Sequence, residues 1–201
     1  MTLAPFISRD DLAAYTQRTF DAGDDALLGI ALDSACDLVR SYTSQSINWV
    51  EDEEVYLDGS GGNAQLLPEL PVISITEVIE SDGNDTPLVV GEDFVLGEAG
   101  IMWRLPMPAF NSPGGLWLKG PRAMKVTYTH GYDITNDFPT TGAPPVPADL
   151  RLVALQVAAR TFTGDAEVSS DIIPPGPPPI AGGLTAGDRY VLNRYRQRGV
   201  S

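Results

Sequence analysis

His130 is the side chain in this sequence best suited to acid–base or metal chemistry at neutral pH, and it is the only histidine among 201 residues. A histidine-based metal site or a catalytic triad would therefore need this one residue. His130 ends the run AMKVTYTH, in which Met124, Val126 and Tyr128 alternate with polar residues, as in a strand with one buried face. Its place on the apolar side of that strand predicts a buried structural histidine.

Two loops have a composition that could hold a phosphate or a calcium ion. The segment 58–63, DGSGGN, lacks the Lys and the Ser or Thr of a phosphate-binding loop. Asp82, Asn84 and Asp85 resemble part of a calcium loop, but Pro87 stands where that loop requires a glycine. Both loops are therefore predicted to be turns, and neither a metal nor a cofactor is expected.

A run of four acids, EDEE at residues 51–54, could supply paired carboxylates. Consecutive residues of a strand point to opposite faces, so these carboxylates cannot converge on one ligand. The run is therefore predicted to be a solvated acidic edge.

Three aromatic residues, Trp103, Phe110 and Trp117, could line a surface for a glycan or a protein partner. Packing in the core and in loops is the interpretation that we favour. Because the sequence also offers no paired nucleophile and base, we predict that the protein is not an enzyme.

Charge is distributed unevenly along the chain, whose net charge is −14. Arg18 and Arg40 are the only bases between Asp10 and Glu98, whereas the segment from Arg189 to the end contains four arginines and no acid. An acidic body repels nucleic acid, which argues against a conventional DNA-binding role. The basic tail is suited to an acidic partner.

Length and composition predict one main core. The chain has 43% apolar residues, no apolar run of eighteen residues, and no basic, apolar start typical of a signal peptide. We therefore expect a soluble protein made in the cytoplasm. Its single cysteine, Cys36, lies in a helical apolar pattern and is predicted to be a core residue, not part of a disulfide.

Periodicity predicts three helices, at about residues 9–20, 24–44 and 147–163, with a β insertion at about 50–132. Within the insertion, VYL and QLL flank the DGSGGN turn like a hairpin, the PELP corner follows, and PLVV is one of six or seven candidate strands. The predicted fold class is α+β: a small helical bundle with an inserted antiparallel β-sheet region.

The C-terminal segment 164–201 is predicted to be an extended arm that ends in a short helix, outside a core of residues 1–163. PPGPPP and AGG favour extended chain, and Thr185 followed by Asp188 is typical of a helix start. A helix of about ten residues is unstable alone in water, so another surface must hold it.

The motifs YLDGSGG, LLPELPVISITEVIESDG, VTYTHGYD and PPVPADLRLVALQVAARTF, in this order, resemble the head-to-tail connector (adaptor) proteins of long-tailed bacteriophages. In that family, a strand ending in a tyrosine-glycine pair is followed by a proline-led, alanine-rich helix, as at Gly131, Tyr132 and residues 147–162. The resemblance covers most of residues 24–163.

This resemblance implies a structural virion protein in the neck, at the head–tail interface. It implies a homo-oligomeric ring, twelve subunits being expected, between the portal protein and the stopper or tail-completion protein. Genomic DNA would pass through the ring without specific binding, and no membrane would be involved. We expect the basic tail to dock on the portal through Arg189, Tyr190, Arg194, Tyr195, Arg196 and Arg198.

Two other classes stay open at this point. A carbohydrate- or partner-binding β module would account for the sheet and the tryptophans but not for the alanine-rich helix or the basic arm. A small hydrolase that uses carboxylates is the least favoured alternative.

Overall fold

The computed structural model describes residues 3–81, 87–105, 115–135, 142–163 and 183–196. The chain forms two compact units: a helical unit, mainly from residues up to Ser46 and from Pro145 onward, and a β unit, mainly from Ile47 to Asp133. The predicted α+β class, with β structure inserted between helices, is confirmed. Within the described residues, no helix combines the length and the apolar character needed to cross a membrane.

Four helices are present in the described residues: α1 (Arg9–Thr16), α2 (Asp25–Thr43), α3 (Ala148–Thr163) and α4 (Ala186–Leu192). The prediction of a helix to residue 20 was wrong, because Gln17 adopts a left-handed conformation (φ 53°) and its N–H bonds to Ala13, which ends α1. The second and third helices match their predicted bounds to within one residue at each end.

α2 packs against α3, and both helices contain small apolar side chains that are fully buried. Ala31, Ala35 and Cys36 on α2, and Ala154 and Ala158 on α3, have no exposed surface. Side chains of this size let two helices approach closely, and the apolar surface that they bury is the main source of stability in this unit. The prediction that Cys36 is a core residue is confirmed.

The β unit has six strands in its described residues: β1 (Val50–Ser60), β2 (Ala64–Leu66), β3 (Val72–Glu80), β4 (Phe94–Leu96), β5 (Ile101–Arg104) and β6 (Lys119–His130). They form two antiparallel sheets with the orders β1-β6-β3 and β2-β5-β4. PLVV, predicted to be a strand, makes only isolated bridges through Pro87 and Val90.

The expected hairpin around the DGSGGN turn was wrong. β1 pairs with β6 and β2 pairs with β5, so the two strands that flank the turn belong to different sheets. The turn itself is real: Ser60 Oγ donates to the Ala64 carbonyl at 2.9 Å. Apolar surface across the unit, not the turn, decides which strands pair.

The two sheets share one apolar core. Met124, Val126 and Tyr128 on the inner face of β6 are fully buried with Phe94 of β4 and Met102 of β5. The alternation predicted for β6 is therefore confirmed. Because successive side chains of a strand point to opposite faces, the other face of each sheet points away from this core.

Gly131 allows a close backbone crossing just after β6. Its φ is +93°, and a Cβ at this position would lie 2.2 Å from the carbonyl oxygen of Asn48. The Gly131 N–H donates to the Pro71 carbonyl at 2.9 Å, and Tyr132 N–H donates to that of Ile47 at 2.8 Å. A glycine is therefore required at this position by both conformation and space.

Candidate functional site

His130 is a structural residue, as predicted. Its side chain is 1% exposed, its Nε2 lies 2.7 Å from Glu53 Oε2, and its ring packs 4.9 Å from that of Tyr128. The imidazole links the ends of β6 and β1 and is closed to a substrate.

Three of the four acids in the β1 run have local partners. Asp52 has a φ of 48° and lies in a bulge, where the register with β6 shifts. The strict alternation expected for this run is therefore interrupted. Asp52 accepts from the Thr76 hydroxyl, Glu53 contacts His130, and Glu54 pairs with Lys125 at 3.1 Å.

Lys125 and Glu54 shift each other's pKa. The hydrogen bond from Lys125 lowers the pKa of the Glu54 carboxyl, and the same bond raises the pKa of the Lys125 ammonium. Lys125 also lies 3.7 Å from Glu77 of β3. Across the described ranges, no group of three or more His, Cys, Asp or Glu side chains could hold a metal ion.

The three candidate surface aromatics have different surroundings. Trp117 is 1% exposed and donates its Nε1–H to the Met102 carbonyl at 3.3 Å, whereas Trp103 is 41% exposed. Phe110, like the candidate calcium-loop residues Asp82, Asn84 and Asp85, lies outside the described residues. Core packing is therefore confirmed for Trp117 alone.

The predicted start of α4 is confirmed by its hydrogen bonds. Thr185 Oγ1 accepts from Asp188 N–H at 3.2 Å, and Thr185 N–H donates to Asp188 Oδ2 at 2.8 Å. This reciprocal pair satisfies two backbone donors that a helix start leaves free.

The surface that holds α4 lies in its own chain. Leu192 is fully buried, and Asp188, only 3% exposed, accepts from Arg160 Nη2 of α3 at 2.6 Å. This contact gives the cap residue a second function: it also ties α4 to α3. Sequence reasoning missed Arg160, although a base that interrupts the apolar surface of α3 was a usable signal.

Two of the six candidate docking residues also contact α3. Arg194 Nη2 lies 3.0 Å from Asp149 Oδ2, and the Tyr195 hydroxyl donates to Asp149 Oδ1 at 2.6 Å. Asp149, predicted only as a first-turn acid of α3, thus binds the residues that follow α4.

Three of the remaining candidates are exposed and do not contact Asp149. Arg189 and Arg196 are exposed, Tyr190 is 78% exposed, and the Arg196 guanidinium lies 5.9 Å from the ring centre of Tyr42. Arg198 lies outside the described residues. We name the exposed residues Arg189 and Tyr190 of α4, together with Arg196 after the helix, the α4 surface. Its two cations and one amphipathic ring are suited to a protein partner with carboxylates.

Comparison with solved structures finds neck and virion assemblies. The chain is similar to one in the neck of an empty gene transfer agent (GTA) particle computed with C6 symmetry, with a TM-score of 0.55 and 16% identity over 100% of this chain and 95% of that chain. It is similar to a chain in the neck of a native GTA particle computed with C12 symmetry, with a TM-score of 0.50 and 16% identity over 100% of this chain and 98% of that one.

A third similarity is to a chain in the virion of a native GTA particle, with a TM-score of 0.50 and 17% identity over 97% of this chain and 91% of that chain. No family model matches the sequence, and no curated protein matches it significantly. The chain therefore has the fold of neck components of phage-like particles, and the predicted resemblance to head-to-tail connectors is confirmed at the level of the fold.

Proposed function

We propose that this protein is a structural component of a virion neck, at the junction of head and tail. The observation that carries the proposal is the similarity to neck chains over 95% or more of both partners, since it includes both the helical and the β unit. The burial of His130 and the local pairing of the β1 acids agree with a structural role without catalysis.

We further propose that copies of the chain form a closed ring, for which twelve subunits is the expected number. Similar chains occur in necks computed with C6 and C12 symmetry, and rings of this kind need a repeated contact between unlike surfaces of one subunit. Genomic DNA would pass through the ring. A net charge of −14 would oppose adhesion of DNA during its passage.

The α4 surface is our candidate for docking on the portal protein; the stopper or tail-completion protein would bind elsewhere on the ring. Arg189 and Arg196 have no carboxylate partner within ion-pair distance among the described residues, so both are available to an acidic surface. Arg194 and Tyr195 would act indirectly, by holding the helix on Asp149. Arg198 completes the proposed docking residues.

This proposal is tested by assembling particles with a chain in which the charges of the α4 surface are reversed, and by measuring how much of the chain is incorporated. We expect Arg189→Glu with Arg196→Glu to abolish incorporation of the chain into particles, because carboxylates on both sides repel. Arg18→Glu, which reverses another exposed arginine, is the matched control and should be incorporated normally. Normal incorporation of the double variant would contradict portal docking through α4. Absence of the wild-type chain from imaged necks would contradict the neck function itself.

A further inference from the structure

The outer face of the small sheet exposes an apolar patch with a fixed tryptophan at its centre. Trp103 of β5 and Val95 of β4 are opposite each other in the register and are 41% and 38% exposed. A Cβ at Gly97 would lie 2.8 Å from Trp103 Nε1, so the indole ring lies directly over this glycine. A large aromatic residue held in this way is typical of an interface anchor.

Acidic residues flank this patch. Glu92 and Glu98 lie just before and just after β4, and both are exposed. Arg104 is the only base between residues 87 and 105; it is buried and lies 3.4 Å from Glu80. The exposed charge on β4, β5 and the turns next to them is therefore negative, and we name this surface, with Trp103 and Val95 on it, the Trp103 face. A partner for it must offer apolar contact together with cations.

The outer face of the large sheet offers these properties at the end where β6 begins. Tyr56 of β1 is 47% exposed, and the Arg122 guanidinium lies 4.3 Å from the centre of its ring. Lys119 is also exposed, with its aliphatic stem beside Gly61. Asp58 is nearby and accepts the Arg122 backbone N–H at 2.8 Å. Neither Lys119 nor the Arg122 side chain has a carboxylate within ion-pair distance in the described part of the chain. We name this surface the Tyr56 face.

The two faces belong to different sheets, whose inner faces pack on the same core. Two different surfaces of one subunit that are complementary in charge can produce a head-to-tail contact. Such a contact repeats from copy to copy and forms a closed ring when the rotation between neighbouring copies allows it. α2 is a poorer counterpart for the Trp103 face: Leu27 and Ile30 are exposed on it, but Asp33 and Asp37 are exposed on the same helix.

We infer that the Trp103 face of one copy binds the Tyr56 face of the next copy of this chain. The inference rests on the proposed ring and adds the surfaces through which neighbouring subunits touch. The indole of Trp103 would pack against Tyr56 and the stem of Arg122, while Glu92 and Glu98 would pair with Arg122 and Lys119.

Cysteine cross-linking of the full-length chain tests this contact. In a Cys36→Ala background, we would place one cysteine on each face, Val95→Cys and Lys119→Cys, and oxidise the protein at high concentration. The double variant should give a ladder of dimers, trimers and longer products, and a mixture of the two single variants should give dimers only. A single band from the double variant, or Val95→Cys joined to itself as readily as to Lys119→Cys, would overturn the inference.

Charge reversal provides a second measurement by sedimentation of the full-length chain. Glu92→Lys with Glu98→Lys should weaken self-association by about tenfold or more, and so should Arg122→Glu. Mixing the two variants should restore association, because each reversed face then meets an opposite charge. Unchanged association of both variants alone would overturn the contact.

Imaged particles separate this inference from the proposed function. If these variants assemble into rings as efficiently as the wild type, the contact between the Trp103 face and the Tyr56 face is refuted. The proposal that the chain forms a ring is then unaffected. A chain found as a single copy per neck would refute both.

Discussion

The chain carries a single thiol, and that thiol is enclosed. Burial raises the pKa of Cys36 to about 11, and its side chain has no exposed surface. At pH 8 only about one thiol in a thousand is then ionised, and alkylating reagents attack the thiolate. We expect iodoacetamide to label the native protein at least tenfold more slowly than the urea-unfolded protein, as measured by mass spectrometry. Equal rates in both states would show that the core around α2 is open.

Asp11 joins the start of α1 to α3. Its carboxylate accepts from Ser8 N–H at 2.9 Å and from Arg151 Nη2 at 2.7 Å. Burial acts to raise the pKa of Asp11, but the hydrogen bonds from Ser8 and Arg151 outweigh it and leave the pKa below its usual value. Asp11→Ala should lower the free energy of unfolding by about 1–2 kcal/mol at pH 7.

The pH dependence of this effect has a defined sign. Since the folded state lowers the pKa, the stabilisation by Asp11 is complete above the unfolded value of about 4 and is lost as the pH falls through the folded value. Denaturant titrations at several pH values should therefore show the difference between wild type and Asp11→Ala shrinking in acid. Asp10→Ala, at the exposed neighbouring acid, is the control and should cost about 0.5 kcal/mol or less. If the difference in unfolding free energy between the wild type and Asp11→Ala grows as the pH falls, the stabilising role assigned to the Asp11 carboxylate is contradicted.

Local hydrogen-bond motifs could be predicted from the sequence at this scale. The Ser8–Asp11 and Thr185–Asp188 pairs each span four residues, so their residue types and spacing are sufficient to recognise them. The contacts of these acids with Arg151 and Arg160 join residues 140 and 28 positions apart. Sequence spacing holds no information on such pairs, because packing of the helices brings them together.

One side chain, Asp188, both forms part of the cap of α4 and joins this helix to α3. The Asp188 carboxylate accepts from the Thr185 backbone N–H and from Arg160, so Asp188→Ala removes both hydrogen bonds and leaves a partly buried guanidinium without this carboxylate. We expect amide exchange in residues 186–192 to accelerate by about tenfold to a hundredfold, in line with a loss of about 1.5–3 kcal/mol. Arg189→Ala, on the exposed side of the same helix, should leave exchange nearly unchanged. Protection retained in Asp188→Ala would show that Leu192 alone holds the helix.

The crossing after β6 provides a second test at this scale. Gly131→Ala should lower the free energy of unfolding by about 3 kcal/mol, because the methyl group meets the Asn48 backbone. Gly142 is a matched control: its φ is also positive, at +70°, but a Cβ there would have no atom within 4 Å. Gly142→Ala should therefore cost only the conformational term, about 1 kcal/mol. If urea denaturation gives equal losses of unfolding free energy for Gly131→Ala and Gly142→Ala, the backbone crossing at Gly131 is not tightly packed.

The sequence predicted strand features correctly where the alternating apolar pattern lies within one strand. The prediction failed where it depended on which two strands pair. Met124, Val126 and Tyr128 revealed the buried face of β6 by alternation. The DGSGGN turn suggested a hairpin because local rules assume that neighbouring strands pair, whereas β2 lies beside β5. Similarly, the sequence predicted that another surface must hold α4 but not which one, because the contacts with Arg160 and Asp149 cannot be read from α4 alone.

For the whole molecule, net charge predicts opposite responses of stability and docking to salt. The net charge of the chain is −14, so repulsion between like charges destabilises the compact state. Added salt screens this repulsion. The midpoint of thermal unfolding should therefore rise between low and physiological concentrations of KCl. Binding of the α4 surface to an acidic partner should weaken over the same range. A falling midpoint would show that the ion pairs, such as Arg194 with Asp149, outweigh the net repulsion.

The bulge at Asp52 limits how the edge of β1 can pair with a strand of another copy. β1 is an outer strand of its sheet, eleven residues long, and a straight strand of that length is a template for fibril growth. The bulge twists its exposed edge, and Glu51 and Glu54 place like charges along it. Copies of the chain can therefore accumulate to a high concentration without aggregating through this edge.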